Sequence, residues 1–297
     1  MSELLQVQLK NSEELKKIIK QVEVAFSLSD GRTVETLLVY LPIDAGKSCH
    51  QELLRIIKEN LLYNFVFSCT EVEKKLNLKS DNNSEELFKK AVRKISKKTA
   101  HGELGELILF TLLDIYFQAP KILSKVSLKS NSKMPVFGAD AVHGQFVDGG
   151  FKLYLGESKL YTSFKSAVPK AVESIENAMS KYEEEFDLID SYIDFPGISK
   201  ALEEKLLDLL DPFSDKDIAA TIHSPCLIGF ADPKLIVDAK SENDFKKKYV
   251  ELAEEHIADF FSKLEAKNVE IDEASLLLLP YSCVDSMVAD FIKYVGV

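Results

Sequence analysis

The sequence predicts an α/β protein in which a mixed central sheet is flanked by helices. Two strand-length segments surround the turn signal Asp148-Gly-Gly150, which predicts a hairpin over residues 139–160. Further apolar strands are predicted at 222–230 and 276–280, and they alternate with segments of helical periodicity. The resulting order is helix, hairpin, helix, strand, helix, strand, helix. That order is typical of a sheet covered by helices.

Two regions are predicted along the chain. Residues 1–85 are predicted to form a small N-terminal α/β region, which is a candidate for partner docking. Within it, two apolar runs flank Ser29-Asp-Gly31 and predict another hairpin. The polar cluster at 79–84 marks the predicted boundary. Residues 86–297 are predicted to form the second, larger domain.

Composition narrows the class of protein. The chain has 297 residues, of which 46% are hydrophobic, and no apolar run approaches the roughly 20 residues that span a membrane. Its start is too polar for a signal peptide, and its four cysteines are scattered. These features predict a cytoplasmic protein with reduced thiols and no membrane contact. A net charge of −11 argues against a protein that coats DNA indiscriminately.

Basic side chains are concentrated in the first 170 residues, so any polyanion-binding face is predicted there. A helix starting at residue 84 is predicted to carry six basic residues over one half of its circumference. A solvated amphipathic face and a phosphate-tracking surface both explain this pattern, and both stay open. The candidate nucleic-acid-binding residues from this helix, the following basic loop and the helix after the hairpin are Lys90, Arg93, Lys94, Lys97, Lys129, Lys165 and Lys170.

The hairpin carries the candidate chemistry. Asp140 begins its first strand, and Glu157 and Lys159 end its second strand. Because side chains alternate between the faces of a strand, Glu157 and Lys159 are predicted to share a face. With Gly149-Gly150 as the turn, Asp140 is predicted to lie opposite Lys159 on that face. The diagonal from Asp140 to Glu157 is then about 7–8 Å, which allows both carboxylates to bind one cation.

Two carboxylates on adjacent strands favour Mg²⁺, with Mn²⁺ as a substitute, because these cations take oxygen ligands. Such a metal neutralises a phosphate oxygen and lowers the pKa of a bound water. Lys159 is then predicted to orient that water or to stabilise charge on the phosphate. Glu106, in the preceding helix, is a candidate further ligand or base, although Glu103 shares its helix face and stays an alternative. A plain salt bridge between Asp140 and Lys159 is the competing interpretation.

Longer motifs surround these residues. The chain contains His101-Gly-Glu-Leu-Gly-Glu106, Gly138-Ala-Asp-Ala-Val-His143, Leu155-Gly-Glu-Ser-Lys-Leu-Tyr161 and His223-Ser-Pro-Cys-Leu-Ile-Gly-Phe230. Their succession resembles the PD-(D/E)xK restriction-endonuclease-like nucleases and, more specifically, the HamA family of the Hachiman anti-phage system. The resemblance covers about residues 95–297. It departs from the wider superfamily where Gly138-Ala139 replace the proline that often precedes the first acid.

The resemblance implies a restriction-endonuclease-like core and a metal-dependent DNA nuclease in antiviral defence. It implies that Asp140, Glu157 and Glu106 bind the metal and that Lys159 completes the catalytic set. The implied partners are DNA and a superfamily-2 helicase, HamB, which holds the nuclease and controls its activation.

Two other functions stay open. One is a catalytically silent adaptor that binds DNA or regulates its partner, for which the acidic C-terminal third offers a docking surface. The other is a standalone repair or recombination nuclease. Because the basic patches are modest against the overall charge, we expect low activity and salt-sensitive DNA binding from the isolated chain.

Overall fold

The computed structural model describes residues 4–77, 83–123, 125–129, 138–148, 150–192, 198–211 and 222–297. It confirms the predicted α/β class, with a mixed central sheet flanked by helices. The order of elements after residue 100 also follows the prediction. A helix is followed by a hairpin, and then by helices that alternate with two single strands, but a short strand at Lys121–Leu123 lies between the helix and the hairpin, where a loop was predicted.

Strands in the described residues fall into one large sheet and one small ribbon. The large sheet consists of β1 (Lys20–Val22), β2 (Phe26–Ser27), β3 (Thr33–Tyr40), β6 (Lys121–Leu123), β7 (Ala141–Val147), β8 (Gly150–Tyr161), β9 (Ile222–Ala231) and β10 (Ala274–Tyr281). The ribbon pairs β4 (Ile43–Asp44) with β5 (Lys47–Ser48).

The large sheet has the order β1-β3-β10-β9-β8-β7-β6, with β2 paired to β3. Its four central strands, β3, β10, β9 and β8, are parallel to one another. Strands on both sides of this group are antiparallel. Central parallel strands are buried on both faces, which explains why β9 and β10 read as nearly continuous apolar runs.

The described helices are α1 (Ser12–Ile18), α2 (Gln51–Ile56), α3 (Leu62–Val66), α4 (Cys69–Asn77), α5 (Asn83–Val92), α6 (Ala100–Ile115), α7 (Phe164–Ser180), α8 (Tyr182–Tyr192), α9 (Lys200–Leu209), α10 (Pro233–Val237), α11 (Glu242–Glu265) and α12 (Val284–Val295). Their apolar side chains form separate clusters on the two faces of the sheet. One cluster contains α6 and α12, and another contains α7 and α11. A third lies under the hairpin and includes side chains of α8 and α9.

The predicted N-terminal region is continuous with the sheet. Its strands β1–β3 pair among themselves and join β10, and its hairpin at β2–β3 agrees with the prediction. Apolar residues of the same region also share a cluster with α6 and α12. The division after residue 85 stays a prediction, because residues 78–82 beside it lie outside the described residues.

The predicted continuous basic helix is wrong. Helix α5 ends at Val92, and most of residues 93–99 lie in turns. Ile95 is buried at 3% exposure, and the Lys94 ammonium donates to the carbonyls of Ser127 and Lys129 at 3.1 and 2.6 Å. These tertiary contacts outweigh the local helical preference. The six basic side chains therefore do not form one helix face.

Candidate functional site

The hairpin forms, but its register differs from the prediction by two residues. Val147 pairs with Gly150, and Ala141 pairs with Gly156. The hairpin therefore closes between Val147 and Gly150 rather than between Asp148 and Phe151 as predicted, and residue 149 lies outside the described residues. Asp148 has a φ of 51°, a left-handed conformation that Asp tolerates and that the first position of a two-residue type I′ hairpin turn requires. If the same pairing continues for one residue beyond Ala141 and Gly156, Asp140 lies opposite Glu157 instead of Lys159.

A register shift of two residues does not change which face of the sheet each side chain is on, since side chains alternate between the faces with a period of two. Glu157 and Lys159 share a face as predicted, and the Lys159 ammonium donates to the Glu157 carboxylate at 3.1 Å. Glu157 lines a cavity of about 380 Å³ together with Ser174 and Asn177 of α7. Its side chain is 8% exposed and that of Lys159 is 16% exposed. This pair therefore lies in a sheltered cleft on the α7 side.

Asp140 precedes β7 and is held by the neighbouring strand. Its Oδ2 accepts hydrogen bonds from the backbone N–H and the hydroxyl of Ser158, at 2.9 and 3.0 Å. The structure thus differs from the predicted alternative of an Asp140–Lys159 salt bridge. Lys159 pairs with Glu157, and Asp140 pairs with Ser158.

Helix α6 places Glu106 on the opposite face of the sheet from Glu157. Gly105 lies against β8 so closely that a Cβ there would be 3.0 Å from the Ser158 hydroxyl oxygen and 3.3 Å from Leu160. This close approach is the packing reason for a glycine inside the helix. Glu106 and Asp140 line a cavity of about 300 Å³ on this side. Asp140 therefore lies between the two acids, which approach it from different faces.

Electrostatics couples the three acids. Burial, and then the charge of Asp140, raises the pKa of Glu157 to about 7. The same two causes, in the same order, raise the pKa of Glu106 to about 8. Burial lowers the pKa of Lys159, but Glu157 and Asp140 outweigh that effect and keep it above its usual value. Lys159 thus stays charged beside an excess of negative charge. Strongly perturbed acids in a cleft are typical of functional sites.

Two buried ion pairs border the acids and were missed by the sequence analysis. Lys125 pairs with Glu185 of α8, and Lys129 pairs with Glu103 of α6. Sequence pattern gives no indication of these pairs, because their partners are 60 and 26 positions apart. Lys129, predicted to bind nucleic acid, is 7% exposed in its pair. Glu103, the alternative to Glu106, is occupied by Lys129.

The other predicted nucleic-acid-binding residues are dispersed. Arg93, Lys97 and Lys165 are exposed. Lys90 and Lys170 each pair with a glutamate on their own helix. Lys94 binds backbone carbonyls, as described above.

A family comparison decides the relationship of this chain. The HamA family model matches residues 14–295. The chain belongs to the HamA family. Membership makes it a component of a Hachiman antiviral defence system. A search of curated proteins returns no match that would add a relative.

The HamA match extends beyond the region of motif resemblance. It includes most of residues 1–85, whose strands join the central sheet. In the described residues, no helix is long and apolar enough to cross a membrane. Across those same ranges, no three His, Cys, Asp or Glu side chains are grouped as a metal site. The placement of Glu106 and Glu157 on opposite faces of the sheet agrees with that result.

Proposed function

We propose that this HamA chain is a metal-dependent deoxyribonuclease that hydrolyses phosphodiester bonds under the control of a helicase partner. The observation that carries the proposal is the set of Asp140, Glu157 and Lys159 at the β7–β8 junction. Glu157 is buried in a cleft beside the half-buried Asp140 and the charged Lys159, and its pKa stays raised although Lys159 and Lys125 both act to lower it.

The donor set suits a magnesium ion. Mg²⁺ is commonly held by one or two carboxylates and retains several waters, so Asp140 and Glu157 suffice without a third acid. Burial, and then repulsion by the Asp140 charge, raises the pKa of Glu157, and a divalent cation would relieve that repulsion. When bound, Mg²⁺ or Mn²⁺ supplies a polarised phosphate oxygen and a water of lowered pKa.

Each side chain has a distinct role in this proposal. Asp140, fixed by two hydrogen bonds to Ser158, and Glu157 hold the metal. Lys159 keeps its proton and places positive charge beside the phosphate, where charge develops during attack. Glu106, whose pKa of about 8 leaves it largely protonated near neutral pH, is suited to hold or exchange a proton on the α6 side.

DNA is delivered by the partner in this proposal. Of the candidate nucleic-acid-binding side chains, Arg93, Lys97, Lys165 and Lys170 are exposed, which is few against a net charge of −11. Nonspecific DNA affinity scales with the number of phosphates that are neutralised. A helicase that carries its own DNA track would supply the missing affinity and limit cleavage to the DNA that it engages.

The test uses the complex reconstituted with its helicase, with duplex DNA and Mg²⁺. Glu157→Ala and Lys159→Ala are expected to abolish cleavage while the complex still assembles and unwinds DNA. Lys152→Ala is the matched control, because Lys152 lies on the same strand but is paired with Glu35. Undiminished cleavage by either of the first two variants would overturn the assignment. Strong cleavage by the isolated chain would favour a standalone nuclease instead.

The second candidate is a catalytically silent adaptor. It is favoured by the observation that both carboxylates already have protein donors, Glu157 from Lys159 and Asp140 from Ser158. Crystals of the chain soaked in Mn²⁺ separate the two functions. Anomalous density between Asp140 and Glu157 supports the nuclease, whereas intact hydrogen bonds without such density support the adaptor.

A further inference from the structure

Glu185 of α8 contacts the segment that leads into Asp140. Its Oε1 accepts a hydrogen bond from the Ala139 backbone N–H at 2.6 Å. The same oxygen accepts one from the Lys125 ammonium at 2.7 Å. Glu185 is 3% exposed and Lys125 is 8% exposed, so both interactions are shielded from water. Hydrogen bonds to an ionised group in such surroundings are strong.

Gly138 makes this contact possible. Its φ is +101°, and a Cβ at this position would lie 1.8 Å from Glu185 Oε1 and 2.2 Å from Lys125 Nζ. The backbone therefore rests directly on the ion pair. Any side chain at residue 138 would displace the pair or the backbone, and residue 140 follows two positions later. The absence of a Cβ is a requirement of this contact.

Asp140 is thus fixed from two sides. Ser158 donates two hydrogen bonds to its carboxylate, and Glu185 holds the backbone one residue before it. We propose that Glu185 is a positioning residue for Asp140, acting through the Ala139 amide. This inference rests on the proposed nuclease function for its significance. Its structural part, the control of Asp140 by α8, can be tested without metal or DNA.

The second buried ion pair shows why the role is assigned to Glu185. Glu103 and Lys129 are equally buried, but Glu103 takes its other hydrogen bond from Thr99 at the start of its own helix. Glu185 instead links a separate helix to the backbone that leads into the site. Helix α8 is anchored in the hairpin cluster by Phe186, which is 1% exposed. Displacement of α8 would therefore be transmitted to Asp140.

Two double variants isolate the positioning effect. Lys125→Met/Glu185→Gln removes the ion pair but keeps an oxygen that accepts from Ala139. Lys125→Met/Glu185→Leu removes the acceptor as well. Both lose the same two charges, so any effect of Lys125 on the pKa of Glu157 is shared. Glu183→Gln is the control, because Glu183 is exposed on the same helix.

The first measurement is amide hydrogen exchange at Ser158 in the metal-free chain, followed by NMR. The Ser158 N–H donates to Asp140 rather than to Glu185, so its protection reports the position of Asp140. We expect faster exchange in the Leu double variant than in the Gln double variant, and no change in Glu183→Gln. Equal Ser158 protection in the two double variants, at matched thermal midpoints, would overturn the proposal. If the Leu variant fails to fold, Glu185→Met replaces it.

The second measurement is Mn²⁺ affinity by calorimetry. Loss of a supporting hydrogen bond typically weakens metal binding by about 10–100-fold, and we expect roughly tenfold between the two double variants. If the wild-type chain and every variant fail to bind Mn²⁺ while Ser158 exchange still differs, the nuclease proposal fails and the positioning role of Glu185 stands. If the wild-type chain binds Mn²⁺, equal Mn²⁺ affinity of the two double variants would contradict the positioning role.

Discussion

Two carboxylates near opposite ends of β8, Glu35 of β3 and Glu157 of β8 itself, have oppositely shifted pKa values. Lys152, near the start of β8, and His223 of β9 both bind the Glu35 carboxylate, at 3.4 and 3.0 Å. Partial burial raises the pKa of Glu35, but these partners outweigh it and hold the pKa below its usual value. Further along, burial and Asp140 raise the pKa of Glu157 to about 7 despite its lysine partner.

This difference separates a structural cluster from a candidate site. Glu35 is 46% exposed and its charge is balanced, so it is suited to hold strands together at the surface. Glu157 is 8% exposed and shares its surroundings with further acids. Uncompensated buried charge reduces stability, and such a cost is typical of sites where a ligand supplies the missing charge.

The largest expected effect is on cleavage. Glu157→Gln preserves side-chain shape but removes the negative charge, and we expect the helicase complex to lose DNA cleavage by roughly 10³-fold. Glu35→Gln, the matched change at the other cluster, is expected to stay within about twofold of wild type. The assay is cleavage of labelled duplex DNA with helicase activity measured in parallel. Equal losses of DNA cleavage in the two variants would show that Glu157 and Glu35 do not differ in function.

Metal binding should stabilise the folded chain through Asp140 and Glu157 and not through Glu35. A cation that binds only the folded chain adds about 2.7 kcal/mol at a concentration 100 times its Kd. We expect Mg²⁺ to raise the thermal midpoint of wild type and of Glu35→Gln, and EDTA to reverse it. Asp140→Asn is expected to lose this shift. A full Mg²⁺ shift in Asp140→Asn would place metal binding elsewhere.

The pH dependence of stability should also distinguish the acids around Asp140, which include Glu106, from Glu35. The folded-state pKa of Glu106 is about 8, above its ordinary value of 4.5. Its contribution to stability is therefore fully present below about pH 4.5 and is lost as the pH rises towards 8. In EDTA, this corresponds to at most about 1.4 kcal/mol per pH unit. Glu106→Gln is expected to flatten the pH dependence of unfolding between pH 5 and 8, measured with denaturant. An unchanged slope would contradict the raised pKa.

The smallest effect concerns Glu35. Since this carboxylate is about half exposed, its ion pairs are screened by water and salt. We expect Glu35→Gln to lower the free energy of unfolding by no more than about 1 kcal/mol, and by less in 1 M salt. Denaturant titrations at low and high salt measure both values. A cost of several kcal/mol that is insensitive to salt would show that Glu35 belongs to a buried network like that of Glu157.

Local sequence signals predicted much of the central sheet. The turn signal Asp148-Gly-Gly150, the apolar runs of β9 and β10 and the helical period of α6 depend on neighbouring residues only. The shared face of Glu157 and Lys159 follows from strand alternation in the same way. The basic helix was predicted wrongly because contacts of Lys94 and Ile95 with distant segments, invisible to a local pattern, end α5 at Val92.

The sequence by itself determined the α/β class, the hairpin and the grouping of Asp140, Glu157 and Lys159, because turn chemistry and side-chain alternation act over a few residues. Tertiary structure alone decided the two-residue register, the opposite-face position of Glu106 and the contact of Glu185 with Ala139. These depend on which of two adjacent turns closes the hairpin and on how separate helices pack against the sheet. Such choices arise from long-range packing, which local residue patterns do not encode.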